Sequence, residues 1–165
     1  MKPALIASLL TLSIAAACSA TPEFGSPSKF ANAGQAAPQA IVARKSAHSF
    51  DETVSRVRGA IEARPLTLFA EIDHAEGARG AGLTLGPSTL FVFGNPSSGT
   101  PLMQANPALG IELPMKILVV ETDGGVQVIR QDVSSVLRQY AVAPETTPAA
   151  RIEETLTAIL NEATR

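Results

Sequence analysis

The chain has 165 residues, 13 Lys and Arg against 15 Asp and Glu, and a single cysteine, Cys18. A net charge of −2 without a basic run excludes nucleic-acid binding by charge and gives no attraction to anionic lipid. One thiol cannot form an internal disulfide, and a zinc site needs three or four ligands, for which two histidines far apart in sequence and scattered carboxylates give no recognisable spacing.

The chain opens with Lys2 and an almost wholly apolar run, Ala4–Ala17, followed by Cys18 and Ser19. About 14 apolar residues fall short of the roughly 20 that a membrane-spanning helix needs. Residues 1–17 therefore read as a cleaved signal peptide. Ala15, Ala16 and Ala17 have the small side chains that let a peptidase take the backbone in extended form. The segment resembles the lipobox of bacterial lipoproteins, except that Ala15 stands where Leu is usual. The resemblance implies lipid on Cys18, export, and anchorage in the bacterial cell envelope facing the periplasm, with Ser19 favouring the outer membrane. The departure at Ala15 keeps an alternative open, an ordinary signal peptide cut after Ala17 or Ala20. Cleavage before Cys18 removes Lys2 and leaves a net charge of −3.

Residues 18–39 are rich in Ser, Pro, Ala and Gly and lack periodicity, the composition of a flexible tether. About 20 such residues span on the order of 25 Å. Residues 40–165, about 125 residues, suit one domain with one core.

Within that domain, Ala40–Ala47 reads as a first strand. Ser49 with Glu52 forms a capping box. Phe50, Val54, Val57 and Ile61 then recur at helical spacing, and Pro65 stops a helix over Phe50–Arg64. Leu66–Ile72 alternates as a strand, and Asp73–Gly77 leaves it as a loop or short helix. Thr89–Phe93 is apolar throughout, as expected of a strand buried on both faces, and Gly94-Asn95-Pro96 ends it. Thr100 and Pro101 predict the cap and first turn of a short helix, and Asn106-Pro107 repeats the arrangement. Met115–Glu121 and Val126–Arg130, joined by Thr122-Asp123-Gly124-Gly125, read as a hairpin. Asp132 caps a helix to about Tyr140, and Pro148 opens a last helix striped by Ile152, Leu156, Ile159 and Leu160. The order β-α-β-β-α-β-β-α-α predicts an α+β fold: a compact sandwich of a mixed or antiparallel sheet with helices packed on it.

Three motifs stand in register across this domain. They are Glu71-Ile72-Asp73-His74-Ala75, then Phe93-Gly94-Asn95-Pro96 with Gly99-Thr100-Pro101-Leu102-Met103-Gln104, then Leu113-Pro114-Met115-Lys116-Ile117-Leu118-Val119. Together they resemble the family catalogued as domain of unknown function number 302, over about Ala43 to Ala141, with the helix Pro148–Thr164 beyond the pattern. The resemblance implies an α/β sandwich, often a homodimer, with no general activity, and heme b as a ligand of some members.

Several residues are candidates for chemistry. His74 follows a strand end, where an imidazole can ligate a metal or heme iron, shuttle a proton, or simply fix the loop. Asp73 and Glu71 share one strand face and His74 the other, so Asp73 does not orient the imidazole; an enzyme using Asp73, His74 and Glu71 as acid–base groups is the alternative. His48, beside the capping box, reads as an exposed residue near a helix start. Met103 and Met115 could complete a heme site, although packing on a buried strand suits Met115 better. Asn95–Thr100 forms a polar loop whose backbone N–H groups could hold an anion or propionate, against the plainer reading of a turn that caps a helix. Gly77, Gly80, Gly82 and Gly86 match no phosphate-binding spacing, and Ser97 and Ser98 lack a nucleophile-elbow setting. The leading expectation is a lipid-anchored module that binds a small ligand through His74, with Asp73, Asn95, Thr100 and Met103 beside it. A purely structural dimerisation domain is the third reading.

Overall fold

The structure, a computed structural model, describes residues 41–165. The leader, Cys18 and the tether to Gln39 lie outside the described residues. The strands are β1 (Ile41–Lys45), β2 (Thr67–Asp73), β3 (Ser88–Gly94), β4 (Met115–Thr122) and β5 (Gly125–Gln131). The helices are α1 (Phe50–Glu62), α2 (His74–Gly80), α3 (Pro96–Ala105), α4 (Val133–Gln139) and α5 (Thr147–Thr164), with a 3-10 turn at Pro107–Ile111. The strands pair in the order β1-β5-β4-β3-β2, every neighbour antiparallel, so the expected α+β fold has no parallel pair.

The β4–β5 hairpin closes through Asp123 and Gly124, with Thr122 opposite Gly125. Gly125 takes φ +98°, a left-handed conformation that glycine adopts without a Cβ clash. Two helix starts are capped as their sequences predict. Ser49 accepts from the Glu52 N–H and Asp132 from the Ser135 N–H, each contact being worth about 1 kcal/mol.

Strand register sorts the side chains. One face carries the row Glu71–Phe91–Ile117–Arg130–Val42 across all five strands, followed by Leu68–Phe93–Met115. Against this face lie Val57 and Ile61 of α1 and Ile152, Leu156, Ile159 and Leu160 of α5, all buried. Fully burying one such side chain is worth about 1.5–3 kcal/mol. The other face carries the row Ile72–Leu90–Leu118–Ile129–Ala43. Leu90, Leu118 and Ile129 are only half-buried there, and Ile72 is 42% exposed. β3 is therefore apolar on both faces but covered on one. The sequence pattern reports two apolar faces, but the expected burial of both is not met among the described residues, where Leu90 and Val92 stay half-buried.

The covered face includes a charge. Arg130 is 5% exposed. Its guanidinium reaches the Gln131 carbonyl at 3.0 Å and grips the Glu153 carboxylate of α5 with both terminal nitrogens. Two further bidentate pairs hold the helical layer: Arg58 with Glu71, and Arg64 with Glu162. The first raises the Arg58 guanidinium above its ordinary value through its hydrogen bond to Glu71, and the second holds the Glu162 carboxyl below its own through its hydrogen bond to Arg64. Tyr140 donates to Glu112 at 2.8 Å, which pushes its phenol up, with burial and the Glu112 charge adding to the effect.

Glu153 can be removed without disturbing the apolar stripe of α5, which isolates the buried charge. Losing one partner of a buried pair costs about 3–5 kcal/mol; Glu153 is itself 41% exposed, so water entry reduces this. Glu153→Ala is expected to lower the unfolding free energy by about 2–3 kcal/mol in urea titration. The double variant Arg130→Met with Glu153→Ala should recover much of that loss, because no lone charge is left.

Candidate functional site

β2 is irregular at one residue. Leu68 pairs with Phe93 and Ala70 with Val92, so Phe69 has no partner of its own and forms a bulge. Its ring is 54% exposed and approaches Gly94 at 3.8 Å from where a Cβ would stand. This edge lies next to the turn from β3 into α3. Asn95 makes that turn: its side chain accepts from the Ser97 N–H and donates to the Pro65 carbonyl, both at 2.8 Å.

α3 begins at Pro96, four residues before the expected cap at Thr100. Asn95 is the stronger cap, and proline suits the first helical position. Thr100 and Pro101 therefore lie inside the helix.

Phe69, the α3 turn and the start of β4 enclose a cleft of about 240 Å³, closed by α5. Its floor is apolar: Leu66, Phe93, Leu113, Met115 and Leu156. Leu113 and Pro114, joined by a cis peptide bond, form one side. Asn95, Ser98, Thr100 and Met103 line the α3 side, and Arg151 and Thr155 the α5 side. A second groove of about 570 Å³, between α4 and α5, is shallower. Its Glu153 and Asn161 are already engaged by Arg130 and Arg44.

The structure brings together Asn95, Thr100 and Met103 of the expected site and separates them from His74 and Asp73. In the β2–β3 ladder Thr67 lies opposite Gly94, whereas Asp73 lies opposite Thr89. The two groups thus flank opposite ends of a strand of seven residues, about 20 Å apart at roughly 3.3 Å per residue. Asp73 caps α2 by accepting from the Glu76 N–H at 2.9 Å. His74 is the first residue of α2, exposed, and its side chain makes no hydrogen bond to another described residue. Glu71 is engaged by Arg58. The three do not converge on one point, and the Asn95–Thr100 loop is not beside His74.

The α3 turn does not present free donors either. Asn95 takes the Ser97 N–H through its side chain and the Ser98 and Gly99 N–H groups through its carbonyl, and Pro96 has none. The plainer reading of this loop, a turn that caps a helix, is the one observed. His48 contacts Glu52 at 3.0 Å and the Arg165 carbonyl at 2.7 Å, tying the start of α1 to the chain end.

No three His, Cys, Asp or Glu residues among those described are grouped to hold a metal ion. The His74 imidazole stands outside the cleft and Met103 within it, so these two residues do not form one heme site.

Phe69 and Arg151 escape sequence reading. A bulge leaves no mark in an alternating strand, and Arg151 looks like any charge on the polar side of a helix. The apolar stripe starting at Ile152 was the one available pointer to the α5 wall.

A family model described as "Domain of unknown function DUF302" matches residues 42–163. It runs through α5, so the last helix belongs to the family pattern and does not lie beyond it, as its lack of a motif suggested. Curated relatives include "Fluoride-specific ion channel FluC 1" of Brucella suis biovar 1, 40% identical over 85 residues, covering 52% of this chain and 34% of that protein. "Fluoride-specific ion channel FluC 2" of Brucella melitensis biotype 1 is likewise 40% identical over 85 residues, covering 52% of this chain and 32% of that protein. The chain thus spans about a third of the length of these relatives. A solved structure, an uncharacterized conserved DUF302 protein from Bacillus stearothermophilus, aligns with TM-score 0.69 at 19% identity, over 78% of this chain and 100% of that one. At that identity the likeness establishes the fold.

Proposed function

This chain belongs to the DUF302 family, and from that premise we propose that it is a binding module of the bacterial cell envelope, anchored by lipid on Cys18, whose cleft at the Asn95 turn takes a small, mainly apolar ligand. The observation that carries the reading is the cleft itself: about 240 Å³ over an apolar floor, beside an aromatic ring left 54% exposed by a bulge. A bulge at this point costs a ladder hydrogen bond, and such irregularities concentrate next to binding sites. The lipid anchor rests on the order Lys2, Ala4–Ala17, Cys18, Ser19. Among the described residues no helix is long and apolar enough to cross a membrane, so attachment would have to come from outside them. Similarity to a third of two Brucella fluoride channels supports a module that is carried alongside membrane proteins; fluoride conduction is a property of those whole proteins.

A second reading, docking of a second copy of the chain, is favoured by the row Ile72–Leu90–Leu118–Ile129–Ala43. A solvated antiparallel face ordinarily alternates to polar residues, and a contiguous apolar patch on a monomer marks a contact surface. The row lies on the face opposite the helices, so pairing there would leave the cleft accessible.

Three measurements test these readings. Mass spectrometry of membrane-extracted protein should find Cys18 as an acylated N-terminus; an unmodified thiol there would remove the anchor. Residues 21–165 should raise the fluorescence of the neutral dye N-phenyl-1-naphthylamine, and Met103→Trp, which fills the cleft, should weaken that binding at least tenfold while circular dichroism stays unchanged. No rise with wild type would end the cleft reading. Light scattering on the same residues should give the mass of a dimer that Leu118→Lys converts to monomer; a monomeric wild type would rule out the second reading.

A further inference from the structure

The cleft has one charged side chain, Arg151, and it is unspent. Among the described residues no carboxylate, carbonyl or hydroxyl accepts from its guanidinium, and Glu154, three residues along the same helix, forms no ion pair with it. Other arginines of the helical layer and covered sheet face are engaged: Arg58 by Glu71, Arg64 by Glu162, Arg130 by Glu153 and Arg44 by Asn161. No carboxylate lines the cleft. Its polar groups divide into spent and unspent. The Asn95 amide is used at both ends, and the Thr155 hydroxyl donates to the Arg151 carbonyl at 2.7 Å. The Ser98 and Thr100 hydroxyls make no hydrogen bond with another described residue. α5, which carries Arg151, has no acidic residue in its first turn and no side-chain cap, so neither device offsets the positive end of its dipole.

An apolar chamber with a lone guanidinium and two hydroxyls at its lip is complementary to a molecule with an apolar body and one anionic head. The size of the body follows from the volume. About 240 Å³ is the space of about eight liquid waters at roughly 30 Å³ each, which suits a chain or ring of about that many heavy atoms. The planar fork of arginine matches a carboxylate with two parallel N–H···O bonds.

Resting on the cleft reading above, we propose that the ligand class is a medium-chain or aryl monocarboxylate, with its carboxylate on Arg151 and its apolar body over Phe93, Met115 and Leu156. Arg151 then sets head-group specificity, while the apolar floor supplies affinity common to any molecule of that size.

The test separates the two claims. Octanoate, 1-octanol and octyl phosphate, all below their aggregation limits, compete with N-phenyl-1-naphthylamine on residues 21–165 and on Arg151→Gln. Octanoate is expected to displace the dye from wild type at a concentration at least tenfold lower than octanol, in keeping with a charge-assisted hydrogen bond. Arg151→Gln should erase that advantage and leave octanol unchanged. Equal displacement by octanoate and octanol in wild type, or an advantage that survives Arg151→Gln, would overturn the assignment of a carboxylate to Arg151. So would a tenfold preference for octyl phosphate over octanoate. No dye uptake, together with no heat on direct titration of octanoate, would sink the cleft and this proposal with it.

Discussion

The attachment of α5 across the sheet is the constraint on which the other parts depend. Its buried stripe, Ile152, Leu156, Ile159 and Leu160, seals the inner face laid down by Phe91, Ile117 and Val119. Arg130 makes the attachment directional. An apolar stripe alone permits a helix to slide or rotate by a fraction of a turn, since hydrophobic contact is non-directional. A bidentate guanidinium–carboxylate pair does not. The register it sets carries Arg151 and Thr155 to the cleft, and brings Asn161 to Arg44 and Glu162 to Arg64. The cleft wall is therefore as well positioned as the core, although Arg151 on it is exposed.

The opposite wall is positioned by a different device. Asn95 spends its side-chain amide and its carbonyl on holding the β3–α3 turn, with Pro65 as one partner. That makes it a structural residue of the site, and it explains why a loop rich in Ser, Asn and Gly offers so few free donors. The same logic removes Asp73, which caps α2, and Glu71, which answers Arg58. Polar residues clustered in sequence are here mostly consumed by helix starts and ion pairs. Among the described residues that line the cleft, the charged group left without a side-chain partner is Arg151, with nothing in its sequence neighbourhood to draw attention to it.

Much of the fold was legible because local rules and tertiary structure agree. The Ser49 and Asp132 caps, the Gly124-Gly125 turn and the α5 stripe each depend on residues within a few positions, and each appears where it reads. The family motifs were legible too, although they stopped short of α5, which packs by an apolar stripe without a motif. The α3 start was misplaced because Thr100-Pro101 and Asn95-Pro96 carry the same local signal, and only the contact from Asn95 to Pro65, 30 residues away, distinguishes them. The site was half legible. Asn95, Thr100 and Met103 fall in one short stretch that folds into one wall, whereas His74 was joined to them by being near in a motif pattern. Antiparallel pairing then sends it to the far end of the ladder, a consequence of register that no local signal encodes.

The bulge at Phe69 has a further consequence. β1 and β2 are the two borders of an open sheet, and a straight border strand offers its unpaired backbone groups to any extended chain that drifts past. β1 is five residues long and ends in Arg44 and Lys45, both poor guests in a stack of strands. β2 is longer, but the extra residue at Phe69 interrupts the regular spacing of its outer N–H and C=O groups. The irregularity that opens the cleft thus also blunts the side of the molecule most prone to runaway strand addition.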